Sequence, residues 1–448
     1  MHLQKRWKTG SRIIAMSVTL TMVAGLFLGC GSSTKEETAP GQSTAAVQTE
    51  TAPQATEAAN AETGLHVLTK EDVKGIFNPS AVASFQDSTM KSPVMSGSSD
   101  DLTLTEEEKG KIRGMKLKIG LEQDHLDDAM KLIQQAFRDQ CADLGIELSD
   151  IWMATEMDGG SQMNDYQNFL AIADQYDGFF TCLSDASINT DILKKIMQKT
   201  NVGFMLAVPF DLDWTDKHFV GITDINAREA GVSSAKAAIK ILNGQGKIGT
   251  VGYVNGKNGS INTCYQRYIG WDEVFKENPD VPVVQAWYDN PADSKAVVSS
   301  LLAANPDIKT LLVDWSYPPG DNALQVAQEL GLKPGKDISV VTIDFDNVVT
   351  IPMASKGNDS YAAACVAQTW YTAGANLVKM YAKHILQEGK NVKFVASNPA
   401  PVTTPMNVKT NFRIIVPETV SAIPMPKEIE ALTEQWSLEE LGVENIWK

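Results

Sequence analysis

Residues 310–346 read TLLVDWSYPPGDNALQVAQELGLKPGKDISVVTIDFD. The apolar run from Thr310 to Val313 ends in Asp314 and Trp315, and a Pro-Pro-Gly turn follows. Ala323, Val326, Ala327 and Leu330 then recur on one helical face until Gly331 stops the helix and Pro334 and Gly335 make the next turn. A second apolar run, Ile338 to Ile343, ends in Asp344. The unit reads strand, helix, strand, with polar residues just past the strand ends. In open α/β sheets ligands bind beyond the carboxyl ends of strands. This unit therefore sets the expected fold and the place to look for a site.

The same alternation extends in both directions. Lys116 to Leu121 reads as a strand, and Ala129, Leu132, Ile133, Ala136, Phe137 and Cys141 then follow at helical spacing up to Gly145. Further strands are expected near 146–154, 178–183 and 203–208, with helices near 162–175 and 190–199. After Phe219–Asp224 a second series places strands near 248–254, 283–288, 310–315 and 338–344, with helices beginning near Asn226, Thr263, Asp293 and Asp321. Such alternation implies parallel sheets with right-handed crossovers. About nine strands crowd one twisted open sheet, so the expected fold is α/β with two doubly wound lobes. Ser360 to Ala367 then reads as another strand and Ala373 to Gln387 as a long helix with Leu377, Val378, Tyr381 and Ile385 on its stripe. A last apolar run, Phe412 to Val416, precedes an acidic tail, 417–448, in which Ser437 and Glu440 form a helix-start pattern.

The chain has 448 residues, 43% hydrophobic, and a net charge of -16. So acidic a surface argues against nucleic acid as a partner, because phosphate binding needs a basic face. Lys5, Arg6, Lys8 and Arg12 precede an apolar stretch from Ile13 to Leu28, then Gly29 and Cys30. This start resembles a bacterial lipoprotein signal, although Phe27 stands where an aliphatic residue is usual. The resemblance implies removal of 1–29, a lipid on the Cys30 thiol and an extracytoplasmic, membrane-anchored chain. Residues 30–63 are too polar to offset their ordering entropy and read as a disordered tether. Residues 64–114 form an extension in which Thr69 with Asp72, and Thr105 with Glu108, have the spacing of reciprocal helix caps. Cys141, Cys182, Cys264 and Cys365 lack the spacing of a zinc or redox site. They read as buried free thiols, with a Cys264–Cys365 bridge as the open alternative.

Gly244, Gly246 and Gly249 spell G-x-G-x-x-G but follow a helix and lead into a strand, the reverse of the dinucleotide fingerprint. Turn chemistry explains them. Gly256-Lys257 lacks the spacing of a phosphate-binding loop, and no G-x-S-x-G or H-E-x-x-H occurs. The five histidines are dispersed. No cofactor, metal site or catalytic set is expected, and the chain does not read as an enzyme. Strand ends offer Asp124 and His125, Ser184 and Asp185, Phe210 and Asp211, Asp224 and Asn226, Trp315 and Ser316, Asp344, and Gln368. Arg267 stands near the start of its helix. For each Asp and Asn, a cap or turn is the plainer role.

From about Leu117 to Val416 the chain resembles the type I periplasmic sugar-binding proteins of ABC importers, of the ribose- and galactose-binding kind. The resemblance is carried by Ile222–Asn226 with Ala227–Leu242, by Gln266-Arg267-Tyr268-Ile269-Gly270-Trp271, by Val340–Asp344, and by Ala367-Gln368 with Gly374. It implies two lobes joined by three crossings, near Thr223–Asn226, Ala367–Trp370 and Lys390–Ala396. The lobes would comprise 115–223 with 369–395, and 226–367 with 396–416. Arg267, Asp344 and Gln368 match positions that hold sugar hydroxyls in that family, and a guanidinium or carboxylate can grip two adjacent hydroxyls. Asn226, Trp315, Ser316, Asp127, His125 and Phe210 complete the expected ligand set. The first lobe departs from the family: Asp127, Asp128, Ala129 and Met130 replace stacking phenylalanines, and Val208-Pro209 replaces an Asp-Arg pair. Trp315, Trp271 or Phe210 would then offer the apolar face a sugar ring needs. The implied role is a monomeric receptor passing a small polar solute, a monosaccharide, to an ABC permease. A sensor feeding a membrane kinase or chemoreceptor, and a cell-surface hydrolase, are the alternatives. A repressor on the same fold is argued against by the export signal and by the lack of a leading DNA-binding helix pair. Asp344→Ala or Arg267→Ala is expected to abolish ligand-induced stabilisation and leave the fold intact.

Overall fold

A computed structural model describes residues 64–76, 96–154, 159–184, 187–209, 212–254, 262–344, 346–397, 402–405 and 412–413. The signal, Cys30, the tether, Asp185, Phe210, Asp211 and the tail after 413 lie outside the described residues. Among the described residues no helix is long and apolar enough to cross a membrane.

The extension supplies α1 (Lys70–Ile76), β1 (Ser96–Gly97) and α2 (Glu106–Met115). Both expected caps form. Asp72 accepts from the Thr69 amide at 2.9 Å while Thr69 accepts from the Asp72 amide at 3.3 Å. Glu108 and Thr105 exchange the same pair of bonds at 2.8 and 3.2 Å.

The first lobe then alternates β2 (Lys118–Gln123), α3 (Asp128–Leu144), β3 (Glu147–Met153), α4 (Gly159–Ile172), β4 (Gly178–Cys182), α5 (Thr190–Met197), β5 (Asn201–Met205) and β6 (Phe219–Ile225). The second lobe runs α6 (Ala227–Leu242), β7 (Lys247–Tyr253), α7 (Asn262–Glu277), β8 (Val283–Tyr288), α8 (Ser294–Ala304), β9 (Ile308–Val313), α9 (Asp321–Glu329), β10 (Ser339–Ile343), α10 (Asn347–Lys356) and β11 (Ala362–Val366). The chain returns through α11 (Trp370–Leu386) and β12 (Phe394–Ser397) and ends its described part with β13 (Val402–Pro405) and β14 (Phe412–Arg413).

Two seven-stranded sheets result, in the orders β1-β12-β6-β5-β4-β2-β3 and β14-β13-β11-β10-β9-β7-β8. Each places the first strand of its series beside the second and third, the arrangement of a doubly wound sheet. The first sheet is parallel throughout. In the second, β13 and β14 run antiparallel at one edge. The chain passes between sheets after Ile225, between Val366 and Trp370, and after Ser397.

The periodicity of α3 is the core-facing stripe: Ala129, Leu132, Ile133, Ala136, Phe137 and Cys141 are all buried, and Gly145 closes the helix at φ 62°. Gly244 and Gly246, at φ 71° and 69°, turn the chain from α6 into β7, so the G-x-G-x-x-G is a turn.

The extension belongs to the folded body. Leu65, Leu68, Val73 and Ile76 bury against Ala230, Ile241 and Leu242 of α6. The Gln245 side chain donates to the Gly64 carbonyl at 2.7 Å. Further on, β1 pairs with β12 and Lys383 of α11 meets Glu108 at 2.7 Å. The extension thus lies on the second lobe through its first stretch and on the first lobe through its second.

Candidate functional site

On the first lobe the site grows from the carboxyl end of β2, where Asp124, His125 and Asp127 lead into α3. Asp127 caps that helix, its Oδ1 accepting from the Met130 amide at 2.8 Å. His125 lies between two carboxylates: Nδ1 is 2.8 Å from Asp124 Oδ1 and Nε2 is 3.2 Å from Asp127 Oδ2. With an acceptor at each nitrogen, the doubly protonated ring satisfies both. Burial draws the His125 pKa down, but Asp124 and Asp127 outweigh it and hold the value well above the ordinary histidine range. Burial pushes Asp127 up, and His125, the Met130 amide and Arg267 together bring it below the usual carboxylate value.

On the second lobe the central group is Arg267 of α7. Helices α6 and α7 touch through glycines. A Cβ on Gly231 would stand 2.2 Å from the Arg267 carbonyl oxygen, and one on Gly270 would stand 2.3 Å from that of Arg228. This contact seats α7 and so sets where Arg267 emerges. Its side chain is 1% exposed. Nη1 donates to the Asp314 carbonyl at 2.8 Å, and Nη2 donates to Asp344 Oδ2 at 2.6 Å and to Gln368 Oε1. Asp344 follows β10 in the left-handed region, φ 77°, which aspartate tolerates better than most residues. Its Oδ1 accepts from Trp370 Nε1 at 2.9 Å. Burial pushes the Asp344 carboxyl up, and Arg267 pulls part of that shift back. Behind Arg267, Asp314 accepts from the Tyr253 amide at 2.8 Å and from the Tyr288 hydroxyl at 2.8 and 2.9 Å. Burial raises Asp314 to about 6.

Between these two sides lies a narrow cavity of about 30 Å³. Its polar wall is Asp124, His125 and Asp127 from one lobe and Arg267 and Asp344 from the other. Its apolar wall includes Met130, Leu183, Leu206, Trp315 and Trp370. Trp315 spans the gap, its ring centroid 6.0 Å from that of His125 with the planes 23° apart. Arg267 Nε, Gln368 Nε2 and Trp315 Nε1 are buried donors with no partner among the described residues. Carboxylate acceptors and spare donors around one cavity, with an aromatic face, suit a neutral polyhydroxylated ligand.

The structure brings Arg267, Asp344, Trp315, Asp127 and His125 together around the cavity, with Gln368 bonded to Arg267. Asn226 caps α6 by accepting from the Glu229 amide at 3.3 Å, and its own amide donates to the Ser397 carbonyl at 2.7 Å, where two crossings run side by side. Ser316 is fully buried. Its hydroxyl donates to the carbonyls of Ile343 and Asp344 at 3.0 and 2.5 Å, tying the turn after β9 to the end of β10. Trp271 lies in the core, its Nε1 donating to Ser234 at 2.9 Å. Sequence reasoning passed over Met130, Cys264 and Trp370. Trp370 stands two residues beyond Gln368, at the start of a helix whose stripe was read only from Ala373 onward. Cys264 and Cys365 are both free, and the Cys365 thiol donates to the Asp344 carbonyl at 2.9 Å.

A family model described as a periplasmic binding protein domain matches residues 124–391. No curated protein matches the chain by sequence. Among solved structures, a carbohydrate transporter solute-binding protein from Agrobacterium radiobacter, in complex with D-arabinose, is 18% identical; the match covers 71% of this chain and 98% of that one, with a TM-score of 0.55. An ABC transporter periplasmic solute-binding protein from Actinobacillus succinogenes with bound D-allose is 16% identical over 65% of this chain and 98% of that one, TM-score 0.54. The binding protein of an arabinose ABC transporter from a Shewanella species, bound to L-arabinofuranose, is 20% identical over 64% and 92%, TM-score 0.54. At such identities the likeness is one of fold.

Proposed function

We propose that this chain, which belongs to the periplasmic binding protein domain family, is an extracytoplasmic sugar receptor that delivers its ligand to an ABC importer. The observation that carries this reading is the cavity between the lobes, with Asp124, His125 and Asp127 on one wall and Arg267 and Asp344 on the other. A sugar touching both walls favours the closed arrangement, because only contacts made in one state shift the equilibrium toward it. Arg267, Asp344 and Trp315 hold the ring from the second lobe, and Asp124 and Asp127 accept its hydroxyls from the first. Fold neighbours crystallised with D-arabinose and D-allose support a monosaccharide-sized ligand. Cys30 carries the lipid that keeps the receptor at the membrane, and binding involves no catalysis.

Thermal unfolding of the mature chain with a panel of aldopentoses and aldohexoses tests the reading. A cognate sugar at 100 times its Kd stabilises by about 2.7 kcal/mol and raises the midpoint in a concentration-dependent way. A chain that responds to none of the panel is not a monosaccharide receptor. Intact mass of the membrane fraction tests the anchor: a chain beginning anywhere but at a lipid-modified Cys30 refutes it.

A further inference from the structure

The inner cavity does not end at the stacked pair His125 and Trp315. Beyond them lies a second cavity of about 320 Å³, open to solvent. His125, Asp127 and Trp315 line both, so the two cavities adjoin across the stacked pair. The outer walls are Leu126 from the loop before α3, Asn290 and Pro291 from the loop after β8, and Tyr317 and Pro318 from the turn after β9.

Leu126 and Tyr317 are 47% and 44% exposed, against a background in which most large apolar side chains are buried. They face the same chamber from opposite lobes. Tyr317 is held outward by its backbone: it is extended, φ -133° and ψ 127°, inside the Ser316–Gly320 turn, with buried Ser316 before it and two prolines after it. Among the described residues its hydroxyl has no hydrogen-bond partner and its ring no stacking partner. Asn290 uses its side-chain oxygen to accept from the Ala292 amide at 2.9 Å, which leaves its amide nitrogen as a donor at the chamber wall. Among the described residues the one cationic group lining the chamber is His125, already engaged by Asp124 and Asp127. Among the described lining residues an anionic ligand finds no free counter-charge.

We propose that this outer chamber is a second sugar subsite and that the receptor takes a neutral disaccharide, one ring in the inner cavity and the other between Leu126 and Tyr317. The proposal rests on the reading of the inner cavity as a sugar site. Chemistry selects a second sugar ring over a purely apolar group. A pyranose offers an apolar C–H face to Tyr317, Leu126 and Pro318 and hydroxyl edges to Asn290 and Asp127. The linkage between rings passes the His125–Trp315 stack, whose members belong to different lobes and separate as the lobes open.

Titration calorimetry of the mature chain tests this with D-glucose, D-galactose and D-xylose beside maltose, cellobiose, lactose, melibiose and xylobiose. The expected result is at least one disaccharide binding about tenfold more tightly than its component monosaccharide, with Tyr317→Ala removing that gain and leaving monosaccharide affinity unchanged. Leu126→Ala reduces the gain from the opposite lobe. Monosaccharide binding with disaccharides bound no better refutes the outer subsite alone, as does a gain that survives Tyr317→Ala. Tight binding of an aryl glycoside but of no disaccharide refutes the second ring. Binding of no sugar at all refutes the sugar-receptor reading and this proposal with it.

Discussion

Replacing Asp344 with alanine removes the acceptor for two buried donors at once. Arg267 Nη2, 2.6 Å from Asp344 Oδ2, keeps only Gln368, and Trp370 Nε1 loses its 2.9 Å bond to Oδ1. The guanidinium is 1% exposed, so water does not replace the carboxylate unless the site opens. Breaking a buried ion pair by removing one partner costs about 3–5 kcal/mol, because the other charge stays buried. The expectation from sequence alone, that Asp344→Ala leaves the fold intact, treats the pair as facing the ligand. The geometry makes it a support of the second lobe as well. Urea unfolding followed by tryptophan fluorescence is the assay, since Trp315 and Trp370 both border the site. Asp344→Asn retains the shape and a neutral acceptor for Trp370, and loses less. Arg267→Met combined with Asp344→Leu removes both charges and recovers much of the loss. An Asp344→Ala protein within about 0.5 kcal/mol of the parent, the range of ordinary surface changes, refutes the reasoning.

Gly270→Ala forces α7 away from α6, since its Cβ would meet the Arg228 carbonyl oxygen at 2.3 Å. A stability loss of about 1–3 kcal/mol is expected by denaturant unfolding, with weakened ligand binding because Arg267 moves with the helix. Asp224, at the end of β6, is raised by burial to about 8 from 3.8. The folded state therefore holds this proton more tightly than the unfolded chain; the stabilisation is full below about 4 and is lost as pH rises through about 8. Relative to Asp224→Asn, the parent should lose stability between about pH 4 and 8, and equal pH slopes in the two proteins refute the assignment.

The alternating strands were legible because central parallel strands are buried on both faces and read as unbroken apolar runs, as Phe179 and Phe180 in β4 and Val340 and Val341 in β10 show. Helix α10 escaped notice because Pro352 interrupts its pattern. Strand β13 escaped because four residues, Val402 to Pro405, are too few for a periodic signal and end in proline. The polar residues of the site were visible as strand-end positions, because sheet topology alone dictates that those ends converge. What sequence did not reveal is how each is engaged. Ser316 stands at a strand end, and its hydroxyl is bonded to the Ile343 and Asp344 carbonyls, which no local pattern signals. The packing of Leu65, Leu68, Val73 and Ile76 on α6 joins residues far apart in the chain and leaves no local periodic mark beyond the cap at Thr69.

Each lobe pairs its own buried cation. His125 is held by Asp124 and Asp127 within the first, and Arg267 by Asp344 within the second. Opening the lobes therefore exposes these pairs to water without breaking them. Among the described residues the contacts that span the gap include the His125–Trp315 stack, a 3.1 Å bond from the Asn347 amide to Asp128 Oδ2, and the attraction of Arg267 for Asp127. A stacked pair contributes about 0.5–1.5 kcal/mol and one such hydrogen bond about as much. Driving a two-state equilibrium from 1:99 to 99:1 takes about 5.5 kcal/mol. The stack and the hydrogen bond alone fall short of that, and a ligand bonded to both walls adds contacts that favour the closed state. Gln368 and Trp370 lie in one of the three crossings and bond directly to the Arg267–Asp344 pair. A ligand that draws on this pair therefore acts on the hinge through the same side chains that hold it.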